Sequence, residues 1–115
     1  MRLPNVERAE VHREKLVSYL LSRAHPDGAG KAAFFERFGF IADDWEVLRD
    51  ALLAHARHHG IAESSESGFG VRYTVEGPLQ SPDGRNPWIR SVWFIDSGAL
   101  APRLVTAYPI RKEIS

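Results

Sequence analysis

The hydrophobic pattern changes its period once along this 115-residue chain, near Gly60. Before that point apolar residues recur every three or four positions, the spacing of one helix face; after it they alternate or cluster as in strands. In the first half, Leu16, Val17, Leu20 and Leu21 mark a helix that begins near Glu14. It stops before His25-Pro26, because the residue preceding a proline is pushed out of the helical region. Lys31–Phe38 predicts a second, short helix with an aromatic face of Phe34, Phe35 and Phe38, and with Gly39 as its C-cap. A third helix is expected over Trp45–His59, capped by Asp43 or Asp44, with Glu46 placed to complete a capping box. Its buried stripe is Trp45, Leu48, Leu52 and Ala56. Ahead of these, residues 1–11 are polar and contain Pro4, which predicts an arm or a short edge strand around Arg8–Val11.

The second half opens with a polar, turn-rich stretch, Ile61–Gly70, in which only Ile61-Ala62 suits an edge strand. Val71, Tyr73 and Val75 then alternate with Arg72, Thr74 and Glu76, the pattern of a half-buried strand. Gly77-Pro78 is expected to interrupt or bulge it, and Ser81-Pro82-Asp83-Gly84-Arg85 reads as a hairpin turn. Trp88–Asp96 and Arg103–Pro109 are dense in β-branched and aromatic residues, and Ser97, Gly98 and Pro102 supply the turn between them. The sum is an α+β domain: three N-terminal helices packed on a curved antiparallel sheet of three to four strands. The chain forms a single domain over 1–115, divided into an arm (1–11), a helical part (12–60) and a sheet part (61–115). Trp45, Leu48, Leu52, Phe34, Phe38, Val92, Phe94 and Val105 are expected in one core, with Trp93 also buried.

Composition narrows the classes. An apolar fraction of 43% and a charged fraction of 26% are those of a globular domain. Fifteen basic and fifteen acidic residues cancel, so nothing in the overall charge draws the chain to nucleic acid or to an anionic membrane. Locally the balance differs: residues 77–112 carry Arg85, Arg90, Arg103, Arg111 and Lys112 against Asp83 and Asp96. The absence of cysteine removes thiolate nucleophiles, disulfides and Cys-ligated zinc, and suits a reducing cytosol. Neither a secretory leader nor an apolar run of bilayer length is present, so no membrane association is expected.

Five residues could carry chemistry. Arg90 sits in a strand that is apolar on both faces, so its guanidinium either forms a structural ion pair or holds a phosphate or carboxylate with its fork. Thr106 and Tyr108, two apart in the last strand, place hydroxyls on one face where they could orient an anion or a sugar; both are also ordinary strand residues. His25 stands in a turn with the exposure of a general base, although HPDG is equally a plain turn. Lys31 lies near a helix N-terminus, where backbone N–H groups favour an anion. His55 and His59 are one helical turn apart, but there is no HExxH sequence and no cysteine to complete a zinc site. No metal or cofactor is therefore expected. GAGK at residues 28–31 is too short for a Walker A loop.

The phrases EKLVSYLLSRAHPDGAGKAAFFERFGF and VEGPLQSPDGRNPWIRSVWFI, with APRLVTAYP, resemble a family of small, largely uncharacterised bacterial domains. These occur alone or at the C-termini of larger toxin-like and phage-associated proteins. In layout the chain also resembles, more distantly, the barnase, EndoU, colicin and RelE group of ribonucleases. That resemblance implies a metal-independent endoribonuclease-like toxin domain, cytoplasmic or delivered as part of a toxin system. RNA and a small acidic antitoxin or immunity protein are its implied partners, with no DNA specificity. It further implies His25 as the base for the ribose 2′-hydroxyl, Arg90 and Lys31 as stabilisers of phosphorane charge, and Thr106 or Tyr108 as positioner of the phosphate or acid for the leaving oxygen. The alternative is a non-catalytic protein-binding or structural module of the same fold. Many such toxins are strongly basic, whereas this chain is neutral.

Overall fold

In the computed structural model, which describes residues 1–26 and 29–111, three helical elements pack against one four-stranded antiparallel sheet. The helices are α1 (Arg13–Lys15), continued without a break by a π-helical stretch (Leu16–Leu20), α2 (Ala29–Arg37) and α3 (Trp45–His58). The strands β1 (Ile61–Ser67), β2 (Gly70–Pro78), β3 (Trp88–Asp96) and β4 (Arg103–Pro109) form a meander in the order β1-β2-β3-β4. The fold class is therefore α+β, with α3 in the middle of the chain rather than at its N-terminus.

Several local expectations are corrected. The polar stretch after Gly60 is a full seven-residue edge strand rather than a turn with a strand start. Its exposed Glu and Ser side chains suit an outer edge, where charge discourages pairing with other chains. Gly77-Pro78 does not interrupt β2: both residues stay in register, opposite Ile89 and Trp88. The third helix starts at Trp45 after Asp44, but Asp44 makes no side-chain cap hydrogen bond. The N-terminal arm contains a 3-10 turn (Val6–Arg8) and meets both edges of the sheet, through a parallel bridge from Glu10 to Arg103 in β4 and through the Met1 carbonyl, which accepts from the Ile61 N–H of β1. Asp27 and Gly28 of the expected HPDG turn, and Lys112 of the basic stretch, lie outside the described residues.

The core lies between the helices and one sheet face. Leu16, Leu20, Phe34, Phe35, Leu48, Leu52 and Ala56 meet Val75, Ile89, Trp93, Leu104 and Ala107 there. Phe38 and Trp45 are partly buried against this cluster. The helix-facing row of β3 is Ile89, Ser91 and Trp93, so Phe94 faces the other way and is only half-buried, as is Val105. Val92 is buried but stands on the outer face, outside the main cluster. The reason for the changed faces in β4 is a bulge. Val92 pairs with Thr106 and Trp93 with Leu104, which leaves Val105 as the extra residue. A bulge reverses the alternation beyond it. Leu104 therefore joins Ala107 on the core face, while Thr106 and Tyr108 share the outer face with Val92 and Arg90.

Candidate functional site

The first helix delivers its polar flank to the bulged edge strand. Leu16 and Leu20 are buried in the core, and the N–H of Leu21 donates to the Leu16 carbonyl at 2.7 Å, a wide i to i−5 turn. Such π-turns redirect the side chains around them. Tyr19, inside this stretch, reaches β4: its hydroxyl lies 3.0 Å from Thr106 Oγ1 and accepts from Lys31 Nζ at 2.7 Å. The Lys15 and Lys31 ammonium groups stand 5.4 and 5.0 Å from the Tyr19 ring centroid. The His25 ring meets Tyr19 edge-on at 4.9 Å. Glu14, Lys15, Ser18, Tyr19, His25 and Thr106 line an open cleft of about 610 Å³, closed on one side by Val105.

The electrostatics of Tyr19 are set by two opposed effects. Burial pushes its phenol up, but the hydrogen bonds of Lys31 and Thr106 and the charges of Lys31 and Lys15 outweigh this, so its pKa falls below the ordinary value. A phenol held this way gives up its proton more readily than a free tyrosine, and the nearby ammonium groups stabilise the phenolate.

Arg90 and Tyr108 stand outside this cleft but on the same sheet face. Arg90 donates from Nε to Glu76 Oε2 at 2.8 Å, with Nη2 on the same oxygen, and from Nη1 to the Tyr108 hydroxyl at 3.2 Å. Its guanidinium is 5.7 Å from the Tyr108 ring centroid. Bonds to Tyr108 and then to Glu76 raise its pKa further, so it is charged throughout the accessible range. Glu76, Arg90 and Tyr108 form one row across β2, β3 and β4, and Thr74, Val92 and Thr106 form the next. The five sequence-derived residues thus fall into two neighbouring groups along β4: His25, Lys31 and Thr106 about Tyr19, and Arg90 with Tyr108 about Glu76. Tyr19 was missing from the sequence-derived set. Its one signal in the sequence is a hydroxyl-bearing aromatic placed off the Leu16/Leu20 stripe.

The α3 histidines serve the core. His55 is buried; its Nε2 lies 3.1 Å from the Gly77 carbonyl and its Nδ1 2.9 Å from Ser91 Oγ, which accepts from Trp93 Nε1 at 2.9 Å. A carbonyl can only accept, so the proton sits on Nε2 and Nδ1 accepts from Ser91. Burial pushes the His55 pKa down to about 4, which keeps the ring neutral. His59 Nε2 lies 3.1 Å from the Pro78 carbonyl. Among the described residues no three His, Cys, Asp or Glu side chains are grouped to hold a metal ion.

A family model described as "Domain of unknown function (DUF6883)" matches residues 2–111. The chain belongs to this family. No curated protein matches the sequence. Among solved structures, a chain of a contact-dependent growth inhibition toxin–immunity protein complex from Klebsiella pneumoniae 342 is similar, with a TM-score of 0.70. The identity is 16%, and the match covers 87% of this chain and 98% of that chain. This chain and that one therefore share a fold. Among the described residues no helix is long and apolar enough to cross a membrane.

Proposed function

We propose that this DUF6883 domain is a metal-independent endoribonuclease of a toxin system, with its reacting centre in the cleft around Tyr19. The observation that carries this reading is the Lys31–Tyr19–Thr106 hydrogen-bonded chain beside His25. It brings a candidate base, a candidate acid of lowered pKa and cationic charge into one open cleft, the parts that phosphodiester transfer requires. His25 takes the proton of the ribose 2′-hydroxyl as O2′ bonds to phosphorus. Lys31 and Lys15 stabilise the charge on the phosphorane. Tyr19 gives its proton to O5′ as the P–O5′ bond breaks, with Lys31 beside the resulting phenolate. Thr106 orients Tyr19 and the phosphate. The products are a 2′,3′-cyclic phosphate and a 5′-hydroxyl, and the imidazolium proton returns to the phenolate through water. DNA resists because it lacks the attacking hydroxyl.

Tyr108 stands two residues beyond Thr106 on β4, with Arg90 opposite it on β3, where the nucleotide next to the scissile phosphate would lie. The shared fold with one chain of a toxin–immunity complex supports a module of a toxin–immunity system. A small acidic immunity protein fits Lys15 of the cleft and Lys31 behind the Tyr19 hydroxyl. The competing reading is a non-catalytic binding module, favoured by the zero net charge and by Glu76 neutralising Arg90. Incubation of the purified protein with total RNA in EDTA decides between them. Fragments with 2′,3′-cyclic phosphate and 5′-hydroxyl ends, lost in His25→Ala, are expected. Intact RNA from partner-free protein, with or without added divalent metal, would assign the fold to binding instead.

A further inference from the structure

We infer that the end of the sheet bearing Phe69 and Leu100 is a self-association surface. The Phe69 ring of one copy enters the recess beside Leu100 of a second copy and receives that copy's ring in return. The inference is independent of the ribonuclease reading, because none of its residues lines the cleft around Tyr19. Phe69 is 82% exposed and Leu100 is 59% exposed, each in a turn at this end of the sheet.

The structure holds both parts in place. Phe69 occupies the two-residue turn between β1 and β2, whose register ends with Ser67 opposite Gly70. Its N–H donates to Ser67 Oγ at 3.2 Å, and its carbonyl accepts from the Ser97 N–H of the β3–β4 turn at 2.9 Å. Gly70 lies so close to β3 that a Cβ there would collide with the Ile95 carbonyl oxygen. The turn is therefore fixed with its ring in solvent. Beside it, Ala99, Leu100 and Ala101 line a recess of about 590 Å³, to which the N-terminal arm contributes Arg8. The Leu100 carbonyl accepts from Asn5 Nδ2 at 3.1 Å, which ties the arm to this turn.

A second copy is the occupant these features fit. A two-fold contact presents the same patch twice, so the patch must carry both halves of every interaction. This patch has a ring and a recess, joined by the Ser97–Phe69 hydrogen bond, and its rim sets Arg8 and Arg103 against Glu10 and Asp96. Arg103 is paired with Asp96. The exposed Arg8 guanidinium has no hydrogen bond or ion pair among the described residues, and it can cover the incoming ring. The balanced rim gives no pull toward an anionic lipid surface. Fifteen basic against fifteen acidic residues leave no net repulsion between copies. Two turns bury less than the roughly 800 Å² per partner of a standard interface, so the dimer is weak, with a Kd on the order of 100 μM.

Equilibrium sedimentation from about 10 μM to about 1 mM spans that Kd. Wild type is expected to rise from 12.9 kDa toward twice that mass across the range. Phe69→Ser, which removes the ring, and Leu100→Glu, which puts a charge in the recess, are each expected to weaken association by about tenfold or more. Both side chains are exposed, so an unchanged thermal midpoint is expected and checked. A wild type that stays monomeric at the top of the range overturns the inference, and so does undiminished association in either variant. The exchange itself is read by isotope-filtered NOEs on an equal mixture of labelled and unlabelled wild type. Contacts from the Phe69 ring of one copy to the Ala99, Leu100 or Ala101 methyl groups of the other are expected. Contacts confined to another face, or Phe69 rings that touch only each other, overturn it.

Discussion

Tyr19 and Thr106 meet at 3.0 Å across 87 residues of sequence, and this contact joins the first helix to the last strand. Two local irregularities flank it: Tyr19 lies in the π-stretch, and the β4 bulge at Val105 immediately precedes Thr106. Lys31 from α2 completes the contact at the Tyr19 hydroxyl. Removing either hydroxyl therefore breaks one shared device. Tyr19→Phe and Thr106→Val are each expected to lower RNA-cleavage kcat, Tyr19→Phe by about 10²-fold or more as loss of the acid. The double variant is expected to be little worse than Tyr19→Phe alone. Additive losses would show that the two residues act separately.

The sequence revealed the elements better than their faces. Period counting located the helix-to-strand change at Gly60 and the β3–β4 hairpin, because both rest on side-chain alternation that the backbone enforces. It assigned Val92 and Phe94, rather than Ile89 and Trp93, to the helix-facing row. The β3 strand is apolar on both sides, so alternation alone cannot choose between them. The Val105 bulge has no sequence signature of its own, and it decided the face of Leu104. Of the site, His25, Lys31 and Thr106 were readable as residue types that carry chemistry. Tyr19 was not, since a π-turn is set by backbone hydrogen bonds rather than by any side-chain period.

Trp93 tests the corrected core face. It is fully buried, packs in the helix–sheet cluster and donates to Ser91. Trp93→Ala is expected to cost roughly 3–5 kcal/mol, read as a lower urea midpoint. An unchanged midpoint with an unchanged m-value would place the side chain in solvent.

Thr74 offers the opposite sign. It is 8% exposed, and its Oγ1 is a buried hydroxyl without a hydrogen-bond partner among the described residues. Valine has nearly the same shape, favours strands and removes the orphaned group. Thr74→Val is expected to stabilise the domain by about 1–2 kcal/mol. A lower thermal midpoint would show that the hydroxyl is bonded in solution.

Gly77 is where α3 presses on β2. A methyl group there would come within 2.7 Å of Cγ and Nδ1 of the His59 ring, near the backbone end of a side chain that cannot swing far. Gly77→Ala is expected to destabilise by roughly 1–3 kcal/mol through overpacking. Adding His59→Ala should recover much of that loss, since it removes the obstructing ring. Two losses that simply add would mean that the clash lies elsewhere.

His55 gives the fold a pH dependence whose sign follows from its burial. Its folded pKa is pushed down to about 4, while in the unfolded chain it titrates near the ordinary value of about 6.5. Above pH 6.5 the ring is neutral in both states and its contribution to stability is fully present. Between pH 6.5 and 4 the unfolded chain binds a proton that the folded one refuses, so stability falls as the pH is lowered. The loss totals roughly 3 kcal/mol and levels off below pH 4. Glu36, Asp83 and Asp96, whose pKa values are lowered by hydrogen bonds from Arg23, Arg85 and Arg103, act in the same direction but only as their unfolded carboxylates titrate, near pH 4. The upper part of the window therefore isolates the histidine. Urea midpoints measured from pH 7 to pH 5 are expected to fall steadily for wild type and to flatten for His55→Gln. If His55→Gln does not fold, the wild-type His55 ring resonance followed by NMR provides the second measurement. A resonance that titrates near pH 6.5 in the folded protein would contradict both the burial of the ring and its closed hydrogen-bond network with Gly77, Ser91 and Trp93.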